Sequence, residues 1–351
     1  MLTSDKPYII GETAFHHEGD VTFIKNLIYA GEKLQINALK FHVTVDLDDY
    51  MVANHEAIEV LRPWCFDEKQ WDDILSEVKT SDIILLCNDV ASVKYALTCK
   101  YSIKAIELHA TGLNDVFLLN EASKFEGTVI LGTGGSTLDE IDYAIQYLKS
   151  KGQNDIFLMH GFQNYPTDFK DIKLDRMDRL GELFGLPQGY ADHTDPAEGA
   201  NSIISCLGVA KGYNVIEKHF TTHLGEKRID AQAAVSLDTM TEIKTLANKI
   251  YSSLGTGAEL QLSAAEEKYG NTGPMKKAIV ARDGIPKGSV LTLENVAFKR
   301  TNSSSSLKQF QLVNLIGLKT SKEISKDEII DFSNVNFEFI TQDISQFNNS
   351  K

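Results

Sequence analysis

Short apolar runs rich in β-branched residues recur at 8–12, 38–43, 82–87, 105–110, 128–132, 155–160, 188–193 and 214–220, each bounded by polar or turn residues. Between them the apolar positions follow a helical period, at 20–34, 68–79, 92–99, 113–124, 136–151, 175–184 and 198–211. Strands apolar on both faces, alternating with amphipathic helices, describe a parallel sheet covered on both sides, and eight such units in about 250 residues is the count at which the sheet closes. The expected fold is α/β, a (β/α)8 TIM barrel. A doubly wound open sheet is the alternative, because periodicity alone does not show closure. The first turn lacks GxGxxG, which argues against the dinucleotide-binding version.

The character of the chain changes after a helix that ends near 251–254. Gly255, Gly257, Gly270, Asn271, Gly273 and Pro274 punctuate a polar connection. Beyond it, 277–281, 290–293, 296–300, 316–318 and 329–332 read as short strands, with a tight turn at Pro286 to Gly288. The expected organisation is a catalytic barrel at 1–255, a linker at 256–275, a small β-rich domain at 276–336 and a flexible tail at 337–351. The serine run 303–306 reads as a flexible loop.

At 351 residues, 42% hydrophobic and 24% charged, the chain is an ordinary globular sequence with length for one large domain and one small one. Its net charge of -14 argues against nucleic acid or an anionic membrane as partner. Four cysteines without CxxC spacing read as reduced core residues. With no basic leader and no apolar run of membrane-spanning length, the expected location is cytoplasmic.

Catalytic groups of such barrels come from the C-terminal ends of the strands. Here those ends carry Glu12, Lys40 and His42, His109, His160, Asp192 and His193, and Glu217, Lys218 and His219. A single strand-end histidine reads equally well as a hydrogen-bonded rim residue. His193 and His219 on adjacent strands form a pair, however, and could hold one divalent ion, with Asp230 completing an open site. Glu12 and Glu217 near the axis are candidates for proton transfer or for pairing with Lys40, since burial makes carboxylate charge costly. Asp20 is placed to cap the first helix.

These residues resemble the sialic acid (N-acetylneuraminate) synthase family, whose members join phosphoenolpyruvate to an N-acylated amino sugar. The carriers are Ile9-Ile10-Gly11-Glu12, Ala38-Leu39-Lys40-Phe41, 132–141, Tyr165-Pro166-Thr167, Gly189-Tyr190-Ala191-Asp192-His193-Thr194 and Ile216-Glu217-Lys218-His219-Phe220. The tail segment 277–288 and Lys299-Arg300 resemble the antifreeze-like (SAF, β-clip) domain that ends these synthases. The resemblance implies a metal-dependent carbon-carbon bond-forming transferase in surface-polysaccharide biosynthesis, with Mn, or else Mg, Co or Zn, on His193 and His219. It implies Glu12, Lys40 and Glu217 as catalytic groups. The expected substrate contacts are Tyr165, Asp192, Asp230 and Arg300, with His42, His109 and Gln163 as candidates at positions that depart from the family pattern; the resemblance has Arg300 reaching the partner's site in a homodimer with a swapped C-terminal domain.

The chain also departs from that pattern. Glu107 stands at a phosphate-contacting lysine, Ala110, Gly132 and Ala191 stand at serines, and His42 replaces a glutamine. Exchanging lysine for glutamate beside a phosphate changes local charge by two units, worth several kcal/mol near a low-dielectric wall. Two further readings follow: a barrel that uses an unphosphorylated keto-acid donor as an aldolase or lyase, and a non-catalytic sugar-binding homologue.

Overall fold

The computed structural model describes residues 2, 5–162, 164–255, 261–271 and 275–336. It divides into two compact units, Met1–Gly255 and Thr256–Lys351.

In the first unit eight parallel strands close into a barrel: β1 (Tyr8–Glu12), β2 (Ala38–Val43), β3 (Asp82–Cys87), β4 (Ile103–Leu108), β5 (Thr128–Gly132), β6 (Ile156–His160), β7 (Gln188–Asp192) and β8 (Val215–His219). Closure is made by β8 against β1, with Glu12 opposite His219. The open-sheet alternative is thereby removed. Side chains alternate across each strand. Ile10, Ala38, Ile84, Ala105, Ile130, Phe157 and Val215 fill the axis as one cluster. Leu39, Phe41, Leu85, Ile106, Val129, Leu158 and Ile216 face the helices and join the larger cluster between barrel wall and helical ring. A fully buried side chain such as Phe157 contributes about 1.5–3 kcal/mol, so this double layering is the main support of the fold.

Helices begin where short polar residues satisfy their first amides. Asp20 accepts the N–H groups of Thr22 and Phe23 and opens Val21–Leu34, as its sequence position predicts. Thr137 and Glu140 form a reciprocal cap on Leu138–Ser150. The helix expected over 198–211 is broken into Asn201–Ser205 and Leu207–Ala210. Ser205 turns its hydroxyl back to Asn201 O and onto Asp192, a side-chain bond that competes with helix continuation. All four cysteines are free, and Cys87 and Cys206 are buried. No helix among the described residues is long and apolar enough to cross a membrane.

The second unit packs Ile279, Leu291, Val296, Leu307, Leu315, Ile324 and Ile330 into its own core. It contains the antiparallel pairs β9 (Lys277–Ala281) with β10 (Val296–Arg300), and β11 (Lys319–Thr320) with β12 (Val335–Asn336). The strands expected at 290–293, 316–318 and 329–332 do not form. Val290 and Ile329 make only isolated bridges, to Lys319 and Val280. Glycine turns at Gly288 and Gly317, with φ of 84° and 90°, bend the chain before a ladder can extend. The serine run is tied down rather than loose: Ser305 is buried and Ser306 bonds to Asp331. Within the expected linker, Ala264–Glu266 is helical behind a Ser263 cap. The expected tail at 337–351 lies outside the described residues.

Candidate active site

The inward alternation that fills the barrel axis with apolar side chains ends in polar ones at the C-terminal rim. Lys40 of β2 stands at the centre, 1% exposed, with its ammonium 2.6 Å from Glu217, 2.8 Å from Glu107 and 3.3 Å from Glu12. Glu107 of β4 is a residue whose location on the axis was hidden in the sequence by its reading as a lost lysine. One ammonium cannot neutralise three carboxylates in a dry site, so their charges separate. Burial raises Glu217 well above the ordinary carboxylate range and also raises Glu107, with Lys40 pulling the other way. Burial would raise Glu12 as well, but Lys40, His219 and His42 outweigh it and hold Glu12 well below that range. Lys40 would be depressed by burial, and the three carboxylates overcome this and raise it.

Glu12 has two faces. Its Oε1 lies 2.6 Å from His42 Nε2, and its Oε2 lies 3.4 Å from His219 Nε2. The His193 and His219 rings are 5.0 Å apart, and Tyr165 stands edge-on to both, at 5.0 and 5.8 Å. Among the described residues, Glu12, His193 and His219 form the one group of three ligand-type side chains that converge, with donor atoms within 4.8 Å of one another. Burial depresses both histidines, His193 to about 4, so at neutral pH their nitrogens carry free lone pairs.

This corner fits a divalent ion. His219 Nε2 and His193 Nδ1 are buried without a hydrogen-bond partner. Two donors about 2.1 Å from one tetrahedral ion lie roughly 3.4 Å apart, the separation seen between His219 and Glu12. The carboxylate that completes the group is Glu12 rather than Asp230. Asp230 lies on the loop after β8 with φ 61°, outside the converging three. Burial raises its carboxyl.

The pocket at the cluster is lined by Glu12, Lys40, His42, Glu107, Tyr165, His193 and Glu217, together with Gly132, Gly134, Gly161 and Ala191. Lys40 is its one lysine or arginine among the described residues. The glycines admit close packing of strand ends: a Cβ at Gly134 would lie 2.0 Å from Gly161 O. At Gly132, by contrast, a Cβ would meet Glu107 Oε1 at an ordinary 3.4 Å.

The remaining candidates are distributed as strand alternation dictates. His109 sits beside His42, ring centroids 6.4 Å apart, and bonds to Thr111; burial lowers it to about 4. His160 and Asp192 face outward, away from the pocket. His160 bonds to Ile172 O, and Asp192 pairs with Lys218 at 2.7 Å. The expectation that Asp192 touches substrate is corrected on this ground: as the neighbour of an inward residue on an extended strand, it points to the other face. The Asp192–Lys218 pair was missed in the sequence, although alternation through 189–193 and 215–219 carries the signal. Arg300 lies on β10 in the second unit, exposed, with Met275 as a contact. Gln163 lies outside the described residues.

The second unit contains a roomier cavity lined by Lys276, Lys277, Ser303, Ser305, Lys308 and Phe310. No orphaned buried polar atom lines it among the described residues, in contrast to the barrel pocket.

The chain is 27% identical to N,N'-diacetyllegionaminic acid synthase of Campylobacter jejuni, over 93% of this chain and 99% of the relative. It is 23% identical to N-acetylneuraminate-9-phosphate synthase of Drosophila melanogaster, over 93% of this chain and 95% of the relative. Among solved structures, the fold is shared with a putative spore coat polysaccharide biosynthesis protein E of Chromobacterium violaceum. There the TM-score is 0.79 and identity 21%, covering 94% of this chain and all of that one. The NeuB family model matches residues 21–259, well over half the sequence and nearly all of the barrel from its first helix onward. The chain therefore belongs to the NeuB family.

Proposed function

We propose that this protein is a nonulosonic acid synthase that joins a three-carbon enol donor to the aldehyde of an N-acylated amino sugar. The observation that carries the reading is the convergence of His193, His219 and Glu12 above Lys40 at the mouth of the barrel. Relatives over nearly the whole length are synthases of legionaminic, pseudaminic and neuraminic acids.

His193 and His219, with Glu12 beside them, would hold the divalent ion, Mn by preference and Mg, Co or Zn otherwise; when bound it supplies Lewis acidity toward the sugar carbonyl. The carboxyls whose environments push them apart divide the proton work between them. Glu217, kept protonated by burial, donates to the oxygen that becomes a hydroxyl; Glu12, kept ionised, accepts the proton of attacking water. Lys40 pairs with the donor's carboxylate. Tyr165 and His42 border the pocket and orient the sugar. Arg300 on β10, in what we take to be the antifreeze-like domain, acts across a swapped homodimer, and the assembly is cytoplasmic.

Phosphoenolpyruvate is the first choice of donor. A second reading, an unphosphorylated keto acid such as pyruvate, is favoured by Glu107: its carboxylate already pairs with Lys40, the one lysine or arginine that lines the pocket among the described residues. The test is incubation of Mn-loaded protein with each donor and a panel of N-acylated hexosamines, with mass spectrometry for a nine-carbon keto acid. Product from phosphoenolpyruvate, with release of phosphate, supports the first reading, and product from pyruvate alone supports the second. No product from either, with the ion bound, overturns the synthase reading.

A further inference from the structure

Asp192 and Lys218 are register partners on β7 and β8, and their charged groups meet at 2.7 Å on the outer face of the barrel wall. Both side chains are 0% exposed. A buried ion pair costs desolvation that its attraction barely repays, and apolar residues of similar size usually stabilise a core as well or better. The pair is thus poorly accounted for as a source of stability. Its position offers another account. Each member immediately precedes a histidine of the ion-binding corner, His193 after Asp192 and His219 after Lys218.

The Asp192 carboxylate is shared by an unusual number of donors. It accepts from Tyr190 Oη, from Thr194 through both N–H and hydroxyl, from Ser205 Oγ and from Lys218 Nζ. Thr194 is held in turn by the Asn201 amide, and the His193 carbonyl accepts the N–H of Thr167. The backbone on both sides of His193 is therefore pinned to a charge that is itself pinned to β8, one residue from His219. Because alternate residues point to opposite faces, anchoring 192 and 218 outward fixes the directions in which 193 and 219 enter the pocket.

We infer that the Asp192–Lys218 pair is a positioning device that locks His193 and His219 into the relative orientation needed to share one divalent ion. The inference rests on the proposed metal reading and extends it to residues that touch neither ion nor substrate. Outer residues that orient metal ligands typically influence affinity by about 10- to 100-fold.

Metal-stripped full-length protein is titrated with Co2+, read by calorimetry and by the visible absorption of the bound ion, which reports coordination geometry. Removing one charge leaves the other buried and unpaired, so the main variant is the double substitution Asp192→Asn with Lys218→Met. Ser205→Ala, which deletes one donor to Asp192 without stranding a charge, is the milder second variant. The expected result is Co2+ affinity weakened about 10- to 100-fold in the double variant, with an altered absorption spectrum. Ser205→Ala is expected to show a smaller loss with a shift in the same direction. Wild-type affinity and an unchanged spectrum in a folded double variant, or in Ser205→Ala should the double variant fail to fold, would overturn the inference. If the wild type binds no ion that depends on His193 and His219, the metal reading fails first and the clamp falls with it.

Discussion

The centre of the barrel shows how single residues divide one charge. Lys40 faces Glu12, Glu107 and Glu217, and only Glu12 is also served by His42 and His219. It is the carboxylate held most firmly ionised. Glu107 accepts a hydrogen bond from Lys40, and opposes any further negative charge brought to that lysine. Replacing Glu107 by Gln removes one negative charge within the pocket while keeping the side chain's size. At an effective dielectric of 20, a unit charge at 4 Å is worth about 4 kcal/mol, so even a fraction of it is felt. Glu107→Gln is expected to tighten phosphoenolpyruvate binding to Mn-loaded protein about tenfold or more, and pyruvate, which brings a single negative charge, by clearly less, both measured by calorimetry. Equal effects on the two ligands would show that Glu107 does not face the phosphate. At this scale the sequence revealed residue types and strand ends well: Glu12, Lys40, His193, His219 and Glu217 all arrive at one mouth. It failed where inward and outward positions had to be told apart by one residue. Asp192 was placed in the pocket because it adjoins an inward residue, and the pleat turns it outward, as it does His160 at the end of β6.

Strands and helices were legible to within a few residues in the barrel, because two-sided burial writes unbroken apolar runs and helical burial writes a 3.6 period. The breaks were harder. The kink at Cys206 depends on a serine bonding across to Asp192, a contact between segments that local periodicity does not encode. In the second unit, bridges of one or two residues leave too short a pattern to distinguish strand from turn. One connection between elements carries a measurable electrostatic anchor. The Glu32 carboxylate, on the first helix, accepts the backbone N–H groups of Lys79, Thr80 and Ser81 and the Thr80 hydroxyl, fixing the entry to β3. Burial alone would raise this group, and the bonds outweigh it and lower it to about 2. A carboxyl depressed in the folded state stabilises above its unfolded pKa and loses that contribution as pH falls through the folded value. Glu32→Gln is therefore expected to destabilise at neutral pH by on the order of 1–3 kcal/mol, discounted for partial exposure, in urea unfolding. The difference from wild type should shrink between about pH 4.5 and 2. A difference that stays constant across that window would remove the linkage.

At the scale of the whole molecule, closure of the sheet is what makes the site. His219 on β8 reaches Glu12 on β1 only because those strands pair and complete the ring. An ion held across that seam should stabilise the folded chain by mass action, about 2.7 kcal/mol at a hundredfold excess over its dissociation constant. Thermal unfolding of stripped protein with added Mn2+ is expected to shift upward by a few degrees in wild type and not at all in the variant carrying His193→Ala and His219→Ala. The same shift in both would place the ion elsewhere. The broad class, an eight-stranded barrel followed by a second β-containing unit, was readable from the alternation and from the change of composition after Leu254. The donor was not, since it depends on how Glu107 and Lys40 share a pocket rather than on which motifs are present.

The most direct test of the account is calorimetric titration of Mn-reloaded protein with phosphoenolpyruvate and, separately, with pyruvate, beside the His193→Ala and His219→Ala double variant. Saturable binding of at least one of these donors, lost in the variant, is expected. Absence of binding for both at millimolar ligand with the ion in place, or binding that survives loss of both histidines, would contradict it.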